Sequence, residues 1–210
     1  MKATAPLLAM TLMTTSLFSQ VPDNLVVEGV PAFPAELRAD AGRYMEFRAA
    51  AFNSWHPKRR ELLITTRFAD SMQLHLVKSP GAARKQLTFL PEPVGGGRFQ
   101  PKTGACVVFS QDTGGGEFYQ LYRYDVADGR ITLLTDGTSR NTGGAWSDSG
   151  KWLAYSSTRR TGKDTDLYIM DPADPKTDRL LLQVEGGGWG VSDWSPDESR
   201  LLVTEYISIN

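Results

Sequence analysis

Cysteine occurs once in the 210 residues, at Cys106, so no disulfide can form within the chain. That residue falls inside an apolar run and reads as a small core side chain. Histidine occurs twice, at His56 and His75. One cysteine and two histidines do not make a zinc site of the usual composition. Charge of one sign is also missing: 23 basic residues face 24 acidic ones, a net charge of −1, which gives no cationic surface for nucleic acid. No run after the N-terminus approaches the ~20 apolar residues of a membrane-spanning helix. Finally, no serine has glycine at both −2 and +2; Ser192 follows Gly190 by two but precedes Trp194. The nucleophile elbow of an α/β-hydrolase is therefore absent from this chain.

What the chain has is repetition. Gly143-Gly144-Ala145-Trp146 is followed by the turn Ser147-Asp148-Ser149-Gly150 and then the apolar run Lys151 to Ser156. A polar turn through Gly162 leads to Asp166 to Met170, closed by Asp171-Pro172. Runs this short, bounded by Gly, Pro, Asp and Ser, predict consecutive antiparallel strands. The aromatic that opens the plan recurs as Trp55, Phe99, Trp146 and Trp194, spaced 44, 47 and 48 residues apart. The third run recurs as Gln73 to Val77, Gln120 to Asp125 and Asp166 to Asp171; the fourth recurs as Gln86 to Thr88, Thr132 to Thr135 and Arg179 to Leu182. Four short strands per period in the forties predict an all-β chain, a β-propeller of four-stranded antiparallel blades.

Glycines before three of the four aromatics (95–97, 143–144, 186–188) suit innermost strands, where backbones crowd. The second strands, Ala105 to Phe109 and Leu201 to Val203, lack alternation and predict sheets covered on both faces. Counting strands gives about three and a half blades, with Trp189 to Ile209 as the first two strands of a fourth. Propellers close with four to eight, so the chain reads as an incomplete propeller and the N-terminal portion of a longer protein. The expected organisation is a secretory signal peptide at 1–20, a lead-in at 21–46 and a partial propeller at 47–210, its units beginning near 47, 95, 143 and 186. In the lead-in, the patch around Ala35 to Ala39 predicts a single helical turn, and Leu25 to Glu28 a candidate extra strand.

The remaining constellations have plain readings. The glycine triplets do not fit the phosphate-binding loop. Asp164, Asp166, Asp171, Asp174 and Asp178 lack calcium-loop spacing and read as turn residues. Arg159-Arg160 with Lys163 reads as an exposed hairpin tip, with a docked domain or substrate carboxylate as the sharper alternative. Both histidines read as surface or packing residues. No catalytic, cofactor-binding or metal-binding residue is assigned.

The Trp-Ser-Pro-Asp blades ending in Asp-Leu-Tyr-Ile-Met-Asp resemble the propeller repeats of TolB and of the prolyl oligopeptidase family of serine peptidases. Phe47 to Phe52 with Trp55-His56-Pro57, Glu117 to Asp125, and Gly186 to Asp197 resemble the N-terminal half of the bacterial peptidases. The resemblance implies a propeller capping a C-terminal α/β-hydrolase domain that carries the Ser, Asp and His triad, acting on peptides in the periplasm or outside the cell. None of those triad residues has a counterpart here. The alternative implied by the same repeats is a stand-alone TolB-like module that binds a partner protein in the periplasm.

Overall fold

The computed structural model describes residues 25–31, 34–45 and 47–209. The predicted signal peptide lies outside them. The chain divides into a unit ending at Phe47 and a unit from Arg48 onward. In the first, Leu25 to Glu28 form no strand. Helix α1, Ala35–Met45, has 11 residues and follows Pro34 directly, so it is longer than the single predicted turn. Alanine at 35, 39 and 41, Glu36 in its first turn and Arg43 in its last favour extension.

The second unit is all antiparallel β. Blade 1 contains β1 (Ala51–Trp55), β2 (Leu62–Thr66), β3 (Gln73–Val77) and β4 (Arg84–Gln86). Blade 2 contains β5 (Val94–Phe99), β6 (Cys106–Gln111), β7 (Gln120–Asp125) and β8 (Ile131–Leu133). Blade 3 contains β9 (Asn141–Trp146), β10 (Leu153–Ser157), β11 (Asp166–Asp171) and β12 (Asp174–Leu182). A fourth sheet has only β13 (Trp189–Trp194) and β14 (Leu201–Glu205). Within each sheet, strands pair in chain order. This is the predicted propeller of three and a half blades.

The repeated aromatics end β1, β5, β9 and β13, each opposite the first or second residue of the next strand: Trp55 with Leu62, Phe99 with Val107, Trp146 with Leu153, Trp194 with Leu201. Because side chains alternate across a strand, each blade has a leading face toward the preceding blade and a trailing face toward the next. Leu63, Leu74 and Leu76 on the trailing face of blade 1 form one core with Phe99, Val107, Phe109 and Tyr124 on the leading face of blade 2. Val108 and Leu121 then form a second core with Leu153, Tyr155, Tyr168 and Met170 of blade 3. Burying each such side chain is worth about 1.5–3 kcal/mol, so blades hold one another together across their faces. The aromatic pairs repeat too: Phe109 stacks on Tyr122 at 5.4 Å, and Tyr155 lies against Tyr168 at 5.8 Å.

Two strand expectations need correction. The fourth strands of blades 1 and 2 lie earlier than predicted, because Thr88 and Thr135 hydroxyls, rather than carbonyls, accept the N–H groups of Leu74 and Leu121 (2.9 and 3.1 Å). Strand β14 is not covered on both faces: Leu202 is 62% exposed, whereas its counterparts Leu63 and Ala154 are fully buried. A two-sided core needs a blade on each side, and β14 has one on its leading face alone.

Candidate functional site: the bulged axial cleft

The innermost strands of all four blades share a defect. In β1 the register skips Asn53; in β5, Gly95 and Gly96 both lie between pairings that flank Ser110; in β9, Gly143 and Gly144 fall between Thr142 and Ala145; in β13 it skips Ser192. These are β-bulges, which take a residue out of the ladder and re-aim its backbone. Asn53, Gly96, Gly143, Gly144 and Ser192 all line a single cleft of about 690 Å³ along the inner wall of the arc.

Local sequence explains the bulges. Gly143 and Gly144 have φ values of 71° and 141°, conformations that a side chain disfavours. At Gly95 the reason is space, since a Cβ would fall 2.5 Å from Ser110 Oγ. The glycine runs thus serve both the predicted close approach and a bend that the sequence did not reveal. Bulges gather at functional rims because they present backbone groups away from the sheet.

The rest of the wall is nearly neutral and mixed, with apolar side chains such as Phe52, Phe99, Phe109, Trp146 and Val191 beside a few polar ones. Asn53 Nδ2 donates to Thr65 Oγ1; Ser54 Oγ accepts from Phe99 N–H of the next blade at 3.2 Å; Ser192 and Thr204 hydroxyls are 3.3 Å apart. Arg98 and Asp193 are the charged lining residues, on β5 and β13. Neither histidine lines the cleft, and no lining serine is hydrogen-bonded to a histidine among the described residues. The wall can bind and orient a polar chain; it has no group arranged to attack one.

Both histidines are packing residues, and neither is at the surface. His56 Nδ1 accepts the N–H groups of Lys58 and Arg59, each at 3.1 Å, so its proton is on Nε2. That nitrogen is buried without a partner among the described residues, on Gly104, where a Cβ would lie 2.4 Å away. Its ring meets Phe99 edge-on at 4.9 Å. Burial, then Arg59, lowers its pKa. His75 donates from Nδ1 to the Gln73 carbonyl at 2.9 Å and lies under Phe68, itself covered by Arg84; burial lowers its pKa as well. Cys106 is 1% exposed, and burial raises its thiol to about 11, leaving it unreactive.

Arg159, Arg160 and Lys163 lie on the turn between β10 and β11, with Arg160 and Lys163 exposed as expected of a hairpin tip, but both arginines are tied back by ion pairs. Arg159 pairs with Asp178, which also accepts from Tyr155 Oη at 3.0 Å, and lies 3.6 Å from the Tyr168 ring. Arg160 Nε donates to fully buried Asp166 at 2.5 Å, and its Nη2 donates to the Val184 carbonyl at 3.0 Å. Asp166 and Asp178 are therefore ion-pair members rather than turn residues. Asp171 and Asp174 do cap turns, accepting from Ala173 and Lys176.

Asp166 occupies a repeated node. Its Oδ1 accepts the Val184 N–H at 2.9 Å, stitching the start of the third strand to the blade exit. In blade 2 Gln120 does this, its Oε1 accepting from Thr135, Gly137 and Asn141 at 2.7, 3.0 and 3.1 Å. In blade 1 Gln73 accepts Leu90 N–H at 3.1 Å and donates to the Leu90 carbonyl at 2.9 Å. The 47- and 46-residue spacings of Gln73, Gln120 and Asp166 carried this signal.

No family model and no curated protein matches the chain. Solved structures do. A prolyl endopeptidase superposes with a TM-score of 0.61 at 16% identity, over 79% of this chain and 28% of that one. TolB from Acinetobacter baumannii gives 0.52 at 20% identity, over 66% and 33%. A protein described as TolB from Agrobacterium tumefaciens gives 0.56 at 19% identity, over 70% and 50%. The fold is a TolB-like β-propeller. The chain spans half or less of the length of each of these structures, and at such identities the likeness concerns the fold alone. Among the described residues of this TolB-like arc, no helix is long and apolar enough to cross a membrane.

Proposed function

We propose that the chain is the propeller module of an exported serine peptidase of the prolyl oligopeptidase type. Its axial cleft admits and orients peptides, and an α/β-hydrolase domain elsewhere on the full polypeptide cleaves them. The observation that supports this is the stacking of four bulges on one wall of a 690 Å³ cleft. Backbone groups re-aimed from a ladder, among apolar side chains and the polar Asn53, Ser54, Ser110 and Ser192, suit an extended main chain, which needs donors, acceptors and apolar pockets more than charge.

A second reading, a TolB-like periplasmic module that binds a partner protein, is equally compatible with the fold, which the TolB structures share. A serine-directed fluorophosphonate probe separates the two. The 210-residue chain stays unlabelled in either case, because acyl transfer needs an activated nucleophile and an oxyanion hole. A version extended through the downstream coding sequence is labelled stoichiometrically if the peptidase reading holds. An extended version that stays unlabelled while capturing a protein partner overturns it in favour of the second.

A further inference from the structure

The residue before each repeated aromatic is Ser54, Arg98, Ala145 and Asp193 in turn, and all four line the axial cleft. In blade 1 this position is engaged, because Ser54 Oγ accepts the Phe99 N–H of the next blade at 3.2 Å. In blade 2 it carries a guanidinium. Arg98 is exposed to the cleft and has no ion pair or side-chain hydrogen bond among the described residues. The acid of the wall does not answer it: Asp193 Oδ1 accepts the N–H of its own neighbour Trp194 at 2.8 Å, and no ion pair joins Asp193 to Arg98.

Beside Arg98 the wall offers an acceptor and room. Asn53, in the bulge of β1, gives its Nδ2 to Thr65 Oγ1, which leaves Oδ1 as its free end. That oxygen lies toward β5: a Cβ built on Gly96 would meet Asn53 Oδ1 at 3.4 Å and nothing else within 4 Å. One residue on, the surroundings reverse. A Cβ on Gly97 would meet Val107 at 3.0 Å, Leu74 at 3.2 Å and Leu63 at 3.3 Å, so Gly97 is set against the core while Gly96 is open to the cleft. Strand β5 therefore presents a stretch of wall without a side chain, with an amide oxygen next to it and a guanidinium two residues along. Phe52 and Phe109 line the same cleft.

We infer that this part of the wall, between β1 and β5, is a carboxylate subsite for a peptide: Arg98 holds a carboxylate, from the C-terminus or from an Asp or Glu side chain, while Asn53 Oδ1 accepts a main-chain N–H of the same peptide. A guanidinium presents a planar fork that matches a carboxylate with two hydrogen bonds, and apolar flanks leave such a pair less screened than on an open surface. The bare glycine stretch lets a main chain approach the sheet closely, and the amide oxygen supplies the acceptor that an extended chain needs there. The inference rests on the reading of the cleft as a peptide passage and adds a selection to it, for peptides with a carboxylate over neutral ones.

The test is fluorescence anisotropy of the 210-residue chain with three short peptides of glycine and alanine, each carrying an uncharged coumarin at its N-terminus. One has a free C-terminal carboxylate, one is the neutral C-terminal amide, and one is the amide with a single internal glutamate. At low salt at least one carboxylate peptide should bind at least about tenfold more tightly than the neutral amide, and which of the two does so identifies the source of the carboxylate. Raising the ionic strength should narrow the preference. Arg98→Gln, at an exposed position and with an unchanged β-type circular dichroism spectrum, should bring the carboxylate peptides down to the level of the neutral amide; Arg98→Lys, which keeps the charge but not the fork, should retain part of the preference. Three peptides that bind equally, or a preference that survives Arg98→Gln, overturn the subsite and leave the peptide passage standing. A chain that binds none of the three up to about 1 mM overturns the passage and the subsite together.

Discussion

Blade 3 and the fourth sheet begin with the same plan, Trp-Ser followed by an acidic turn and an apolar second strand, yet they end in different environments. Strand β10 is buried at every position, whereas β14 is exposed or half-exposed throughout. Pairing is equally regular in both, with Trp146 opposite Leu153 and Trp194 opposite Leu201. The motif therefore specifies the hairpin, and the neighbours supply the core. Even the 340 Å³ cleft between these sheets, lined by Trp152, Ile169, Leu181, Trp194 and Leu201, follows from this: two strands of blade 4 cover only the inner part of a four-stranded face.

The sharpest way to break that comparison is to truncate the equivalent leucines. Leu153 is 1% exposed and belongs to the core between blades 2 and 3, so Leu153→Ala should lower the unfolding free energy by about 3 kcal/mol, as for a cavity in a core that cannot collapse. Leu201 is half-buried, and Leu201→Ala should lose about half as much. Denaturant midpoints with unchanged m-values measure both. Equal losses would mean that blade 4 is as well packed as blade 3.

A smaller effect is expected at the node, where blades 2 and 3 differ in chemistry rather than in neighbours. Gln120→Ala strands the Thr135 hydroxyl and the Gly137 N–H in blade 2, Asn141 keeping the Tyr119 and Ser139 carbonyls, and Asp166→Ala strands the Val184 N–H and Arg160 in blade 3. Each should lose about 2 kcal/mol, the penalty for unpaired buried polar groups. Salt separates them. Raising ionic strength should shrink the loss at Asp166, whose partner Arg160 reaches solvent with 29% of its side chain, and leave the loss at Gln120 unchanged. Equal salt dependence would show that the charge at Asp166 is incidental to the stitch.

The sequence revealed what recurs and concealed what is made between repeats. Blade order, the positions of Trp55, Phe99, Trp146 and Trp194 and the two-stranded fourth sheet were legible, because each rests on spacing. The bulges were not: a glycine pair before an aromatic looks the same whether it permits close packing, as at Gly95, or a φ of 141°, as at Gly144. Arg160 looked like a loop tip because its partners, Asp166 and Val184, are brought to it by sheet pairing. Of the candidate cleft, Asn53 and Ser192 gave no signal, since a one-residue register slip depends on the partner strand.

The smallest effect concerns pH, and it turns on the residue after each aromatic: His56, Gln100, Ser147 and Ser195. In blades 3 and 4 a serine hydroxyl caps the turn, accepting from Trp152 N–H at 3.1 Å and Arg200 N–H at 2.9 Å. In blade 1 His56 Nδ1 does so, and it alone of the four can titrate near neutrality. Its folded pKa lies below the ordinary 6.5, through burial first and Arg59 second. The unfolded chain thus binds more protons between the folded value and about 6.5, and stability rises with pH across that window. It is complete above about pH 6.5 and is lost as pH falls below it, because a proton on Nδ1 meets two N–H donors. Asp166, held low by its Arg160 hydrogen bond, adds its own loss only below about pH 4. His75 contributes in the same direction as His56. The variant His56→Gln, which installs the residue of blade 2, should therefore reduce the fall in melting temperature between about pH 7.5 and 5.5 without abolishing it. An undiminished slope would mean that His56 is protonated in the fold and that the cap at blade 1 works differently from those of blades 3 and 4.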